Sequence, residues 1–176
     1  MRTSYDAVEV TRFIERLAAT IAGTFPARDP LNIVGIRTRG ETLAQRLIRA
    51  LQDRGFSRIG HGIVDITLYR DDLSEIGPRP LVRPMQMELA LDAIPLLLVD
   101  DVLFTGRSIR AALDALSDFG RPSVIRLLVL VDRGGRELPI QPDFAGLSLP
   151  AVPRDHRVNV HLAEIDGRDE ITVAPQ

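Results

Sequence analysis

The chain has no cysteine in its 176 residues, which removes disulfides, thiolate metal sites and cysteine nucleophiles together. It has no lysine either: all 22 basic residues are arginine. That excludes Schiff-base chemistry, a lysine-anchored pyridoxal phosphate and the lysine of a Walker A loop. Runs of about 18 uninterrupted apolar residues, the length a membrane span needs, are also missing. The start, MRTSYDAVEV, lacks the apolar stretch of a secretory signal, so a cytoplasmic protein with no membrane partner is expected. Basic residues are not in excess: the net charge is −2 and the pI near 5.9. That balance argues against a generic nucleic-acid binder and leaves room for a local basic face. The three histidines, His61, His156 and His161, lack metal-ligand spacing, and there are no repeats or low-complexity tracts.

What is present is an alternation of helical and strand patterns over one domain spanning 1–176. Residues 5–24 carry Val8, Phe13, Ile14, Leu17, Ala18 and Ile21 at helical spacing. LNIVGI (31–36) is a buried strand, and a second helix covers about 41–54 with Gly55 as its stop. Strands follow at 58–69, 95–99 and 124–131, with a third helix between the last two that ends at Phe119. Shorter strands near 143–149, 157–164 and 170–174 complete the chain. The order β-α-β, β-α-β implies an α/β fold: a mostly parallel twisted sheet flanked by helices, with right-handed crossovers. Residues 70–94, with Pro78, Pro80 and Pro84, break the periodicity. They read as a lid-like binding loop, as a two-stranded flap, or as both.

The sharpest feature is LLLVDDVLFTGRS at 96–108. A run of aliphatic residues ends in two adjacent carboxylates, Asp100 and Asp101, and a small-residue turn, Thr105-Gly106-Arg107-Ser108, follows at once. In an open α/β sheet, ligands bind beyond the C-terminal ends of the strands. The helix after Thr105 offers N–H groups and its dipole to an anion, and Gly106 lets the backbone approach closely. The two acids can accept hydrogen bonds from sugar hydroxyls or hold Mg²⁺. A ribose 5-phosphate, phosphate on one side and diol on the other, satisfies both halves. Alternatively, a strand that ends in Asp-Asp before a Thr or Ser helix cap needs no ligand at all.

The complete string VDDVLFTGRS resembles the phosphoribosyl-diphosphate signature of the type I phosphoribosyltransferases, with every position filled. VGIRTRG (34–40), DITLYRDDL (65–73) and GRPSVIRLLVLVDRGGRELPI (120–140) extend the likeness along nearly the whole chain. Together they resemble one subfamily, the bacterial bifunctional pyrimidine-operon regulators with uracil phosphoribosyltransferase activity. That resemblance implies the type I phosphoribosyltransferase fold with a mobile flap, about 70–94, a small hood, and C-terminal strands at about 143–174. It also implies condensation of uracil with phosphoribosyl diphosphate to UMP and diphosphate, with Mg²⁺.

Carried over residue by residue, Asp100 and Asp101 would bind the ribose hydroxyls, stabilise the developing cation and hold Mg²⁺ partly through substrate. Val102, Leu103, Phe104, Thr105, Gly106, Arg107 and Ser108 complete the loop that holds the 5′-phosphate. Thr38, Arg39 and Gly40 correspond to the diphosphate loop, with Arg39 neutralising the leaving group. Tyr69, Arg70, Asp71 and Asp72 open the flap, and Val131, Asp132 and Arg133 lie where the base packs. The second implied role is binding of the pyrimidine operon's leader mRNA, tightened by UMP or UTP, by a homodimer or higher oligomer. Arg12, Arg16 and Arg136 supply the basic face this would need. The chain departs from the subfamily at Glu15 and Ala19 on the first helix, at Gly135 and Gln141, and at Ala151-Val152. The alternative is a phosphoribosyltransferase for another nucleobase with no RNA-binding role.

Overall fold

A computed structural model describes residues 3–66, 85–86, 90–150 and 152–176. Strand β1 (Ser4–Tyr5) leads into helix α1 (Ala7–Thr24), which starts two residues later than its periodicity suggests. The reason is a capping box. Asp6 accepts the N–H of Glu9 at 3.0 Å while the Glu9 carboxylate accepts the N–H of Asp6 at 3.2 Å. Strand β2 (Leu31–Ile36), helix α2 (Arg39–Gln52) and strand β3 (Ile59–Val64) form the first β-α-β unit. Strand β5 (Leu96–Leu103), helix α3 (Arg107–Ser117) and strand β6 (Ile125–Asp132) form the second. Between them lies the two-residue strand β4 (Met85–Gln86), and after them come β7 (Phe144–Ser148), β8 (His156–His161), helix α4 (Ala163–Asp166) and β9 (Glu170–Pro175).

The large sheet has the order β4-β3-β2-β5-β6-β7, in which only β4 runs antiparallel. The expected parallel α/β sheet is thus present. Residues 85–86 pair antiparallel with the end of β3, and most of the expected flap, 70–84 and 87–89, lies outside the described residues. Of the closing strands, β7 extends this sheet and the last two do not. β8 and β9 pair antiparallel with each other and β9 with β1, making a separate three-stranded hood.

Two apolar clusters cover the large sheet. Leu31, Ile33, Leu97, Val99, Leu128 and Leu130 pack against α1, α2 and the hood valines Val158, Val160 and Val173. Val34, Ile36, Leu96, Leu98, Leu127 and Val129 pack against Ile109, Ala112 and Leu116 of α3. Burial on both faces explains why β2 and β5 read as continuous apolar runs and not as alternating ones. Strands β2 and β5 are neighbours, yet β2 connects onward to β3 on one side and β5 to β6 on the other. Their C-terminal ends therefore flank the topological switch point, where a crevice opens.

Candidate functional site

A cavity of about 920 Å³ occupies that switch point. From below it is lined by Thr38 and Arg39 after β2 and by the stretch Asp100–Ile109 on and after β5. The loop after β2 is pressed against β5 because two glycines permit it. A Cβ on Gly40 would sit 2.5 Å from the Val99 carbonyl oxygen, and one on Gly35 2.5 Å from the Cα of Glu41. Any side chain at either position would push α2 away from the acid-bearing strand. Gly40 thus acts as a spacer and does not itself line the cavity.

Strand β5 does not stop before the acids, as the sequence suggests, but carries them and continues to Leu103. Asp100 is 8% exposed; its Oδ1 accepts the N–H of Asp101 at 2.9 Å, and Asp101 Oδ1 accepts the N–H of Val102 at 2.9 Å. Burial pushes the Asp101 carboxyl above the ordinary carboxylate range. The Val102 N–H, a hydrogen bond with Asp100 and the positive charge of Arg39 oppose that push.

The turn is built as the sequence suggests. Gly106 takes φ +94°, the left-handed region, immediately before α3, and the Thr105 hydroxyl accepts the N–H of Arg107 at 3.3 Å. The Arg110 N–H donates to the Gly106 carbonyl at 3.0 Å where α3 begins. The segment after β6 fixes the turn from behind: Glu137 and Leu138 donate N–H groups to the Thr105 carbonyl at 3.0 and 3.1 Å.

Arg39 has one engaged donor and one orphan. Its Nη2 donates to Asp166 Oδ1 at 2.8 Å, while its Nε is buried and has no partner among the described residues. Asp166 lies at the end of α4, in the hood, and its carboxyl is held below the ordinary range by the Leu162 N–H and by Arg39. Two turns further along α2, Arg46 makes forked contacts to both Glu164 and Asp169. The hood is therefore braced to α2 by two arginines.

Residues after β6 are divided in role. Arg133 lines the cavity, is 4% exposed and stacks its guanidinium 3.8 Å from the Phe104 ring centroid. It donates to the carbonyls of His156 and Pro153, and burial without a carboxylate pulls its affinity for the proton down. Val131, by contrast, is a fully buried core side chain, and Asp132 faces away into hydrogen bonds with Gly134 N–H and Arg136. Neither side chain lines the cavity.

The expected RNA face needs a correction. Arg136 is not a free surface cation: its guanidinium donates to Ile140 O at 2.8 Å, Phe104 O at 3.0 Å and Asp132 at 2.6 Å, with longer contacts to Leu103 O and Gly134 O. A cation surrounded by backbone carbonyls and a carboxylate has little left to offer a phosphate. Arg12 and Arg16 do lie on the exposed side of α1, Arg16 bonding the Gly146 carbonyl and lying 5.4 Å from the Phe13 ring centroid. Glu15, between them, pairs with Arg54 at 2.6 Å.

The roof of the cavity was not anticipated from the sequence. Arg157, Asn159 and His161 of β8, with Gln176, line it from the hood. HRVNVH alternates buried Val158 and Val160 with Arg157, Asn159 and His161, and all five border the cavity. Tyr69, Arg70, Asp71 and Asp72 lie outside the described residues. Among the described residues, no group of three or more His, Asp or Glu side chains could hold a metal, and no helix is long and apolar enough to cross a membrane.

Comparison with known proteins agrees with this geometry. Residues 4–161 match the family described as phosphoribosyl transferase domain. The bifunctional protein PyrR of Roseiflexus sp. (strain RS-1) is 49% identical over 162 residues, 92% of this chain and 88% of the relative. That of Thermus thermophilus is 48% identical over 94% of this chain and 91% of its own. Among solved structures, the hypoxanthine phosphoribosyltransferase of Trypanosoma cruzi superposes with a TM-score of 0.72 at 18% identity, covering 100% of this chain and 98% of the other. A hypoxanthine-guanine phosphoribosyltransferase of Bacillus anthracis gives 0.71 at 13% identity, covering 99% and 98%. The chain belongs to the phosphoribosyl transferase domain family, within the group of bifunctional PyrR proteins.

Proposed function

We propose that this protein transfers the phosphoribosyl group of phosphoribosyl diphosphate to uracil, giving UMP and diphosphate, and that it also binds the leader mRNA of a pyrimidine operon under the control of uridine nucleotides. One observation carries the enzymatic half: the acid pair, the Gly106 turn and Arg39 surround a single cavity at the switch point between β2 and β5.

In the reaction the bond from ribose C1 to the diphosphate oxygen breaks with its electron pair leaving on diphosphate. N1 of uracil forms the new bond to C1 and gives up its proton. The transition state has oxocarbenium character, as in glycoside transfer. Asp100 and Asp101 accept hydrogen bonds from the 2′- and 3′-hydroxyls and place negative charge near C1. The N–H groups and hydroxyls of Thr105–Ser108 seat the 5′-phosphate against the N-terminus of α3. Thr38 and Arg39, held close to β5 by the spacer Gly40, face the diphosphate, where the guanidinium of Arg39 balances charge as the leaving group departs. Arg133, stacked on Phe104 beneath the hood, borders the space left for the base.

The residues present fit Mg²⁺ as a shared ion and not as a resident one. Among the described residues the carboxylates that line the cavity are Asp100 and Asp101, so further ligands would come from substrate oxygens and water. When bound, Mg²⁺ supplies charge neutralisation on the diphosphate. The RNA-binding half rests on the bifunctional relatives and on Arg12 and Arg16 of α1.

The deciding assay is diphosphate release with Mg²⁺ and phosphoribosyl diphosphate in the presence of uracil, hypoxanthine, orotate or no base. Uracil-dependent release is expected; release with hypoxanthine or orotate and not with uracil would overturn the substrate assignment. For the regulatory half, leader RNA is titrated with and without UMP at two salt concentrations. Tighter, UMP-dependent and salt-sensitive binding is expected, and affinity equal to that for an unrelated RNA would remove this half of the proposal.

A further inference from the structure

The contact between Arg39 and Asp166 joins residues 127 apart in sequence, and no feature of the transfer chemistry requires it. An arginine carries five N–H donors in a rigid planar fork. Asp166 takes a bond from Nη2 alone, so the ion pair leaves the Nη1 hydrogens and the second Nη2 hydrogen unclaimed by it. Asp166 is itself immobilised. Its other oxygen accepts the Leu162 N–H at 2.9 Å, its side chain is 17% exposed, and the segment carrying it is clamped to α2 through Arg46 with Glu164 and Asp169. His161, which lines the same cavity, stands 3.7 Å from the same Asp166 oxygen. A solvated ion pair of two long side chains would contribute little. This one is short, partly buried and anchored at its acidic end, so it fixes the direction in which the guanidinium points.

We propose that Asp166 is a positioning residue for phosphoribosyl transfer: by gripping one donor of Arg39 it aims the remaining donors at the leaving diphosphate. A long arginine side chain free to sample its rotamers would have to be ordered during each turnover, and Asp166 removes that requirement before substrate arrives. This inference rests on the reading of Arg39 as a diphosphate ligand, and the two can fail separately.

The test compares kcat and the KM values for phosphoribosyl diphosphate and uracil in the wild type, Asp166→Ala, Asp166→Asn, Arg39→Ala and the double variant Arg39→Ala with Asp166→Ala. Removing Asp166 is expected to lower kcat/KM for phosphoribosyl diphosphate by on the order of tenfold, as loss of an orienting partner does at other sites, and to leave the KM for uracil unchanged. Asparagine fills the same space and keeps one accepting oxygen, so its loss is expected to be smaller, about threefold. In the Arg39→Ala background, removal of Asp166 is expected to do nothing further. Wild-type kinetics in Asp166→Ala, or the same tenfold fall in the Arg39→Ala background, would overturn the positioning role. Should the alanine variant fail to fold, an asparagine variant at the wild-type rate overturns it alone. If Arg39→Ala itself keeps full turnover, the diphosphate assignment falls and takes this inference with it; if Arg39→Ala is impaired and Asp166→Ala is not, only the inference falls.

Discussion

Two loops at the C-terminal edge of the same parallel sheet each present an arginine, and the two have opposite fates. After β2, Arg39 has its Nη2 bonded to one carboxylate and its Nε unpartnered among the described residues. After β6, Arg136 makes five contacts, to four carbonyls and Asp132, through all three of its nitrogens. Both are near glycines, both follow apolar strands, and in sequence both look equally suited to an anionic ligand. The difference lies in unused hydrogen-bonding capacity. A guanidinium whose nitrogens are all engaged by the protein holds loops together, whereas one with donors in reserve beside a cavity is available to a ligand. Arg136 fastens Leu103 and Phe104, just before the Gly106 turn, to the segment after β6; Arg39 lines the cavity that the turn also lines.

The largest expected effect comes from the acids that both loops surround. Asp100→Asn combined with Asp101→Asn is expected to abolish transfer in the diphosphate-release assay while the far-ultraviolet spectrum stays that of the wild type. Arg39→Ala is expected to lower kcat by a factor on the order of 10² to 10³, as removal of one preorganised charge stabiliser does elsewhere, with little change in Tm. If Arg39→Ala changed only the KM for uracil, its placement at the leaving group would be wrong. Arg136→Ala should show the reverse pattern. Stranding Asp132 and several carbonyls is expected to cost about 3 kcal/mol, or a fall in Tm on the order of 10 °C in calorimetry. An Arg136 variant with unchanged Tm and weakened RNA binding would break the comparison.

A smaller effect concerns Asp101. Its carboxyl is raised by burial, so the folded protein binds more protons than the unfolded chain between the ordinary carboxylate value and the raised one. Stability from this group is therefore fully present below the unfolded value and is lost as pH rises through the folded value. Asp101→Asn is expected to raise Tm by a few degrees at neutral pH, a stability gain accompanied by lost activity, and a lowered Tm would contradict the burial argument. The smallest change is expected from Arg12→Gln with Arg16→Gln. It should weaken leader-RNA binding and reduce its salt slope by about 2 with UMP synthesis intact.

Much of this was legible in the chain. The acids, the Gly106 turn and the Arg39 loop were readable because each lies within a few residues of its structural cause: an apolar run, a glycine, a helix start. The β-α-β units were readable for the same reason. The closing strands were placed nearly correctly, but nothing local to β8 and β9 tells that they pair with each other and with β1 instead of extending the large sheet. Long-range pairing also hid Asp166, whose partner Arg39 comes 127 residues earlier. Arg136 was misread because charged residues are normally solvated, and only the fold shows carbonyls gathered around this one.

The central claim is that the crevice between β2 and β5 is the phosphoribosyl-diphosphate site. Titration calorimetry of phosphoribosyl diphosphate with Mg²⁺ into the wild type and the Asp100→Asn, Asp101→Asn variant tests it most directly. Saturable, Mg²⁺-dependent binding is expected for the wild type, and loss of that binding in the variant. Equal affinity in the two proteins would place the ligand elsewhere.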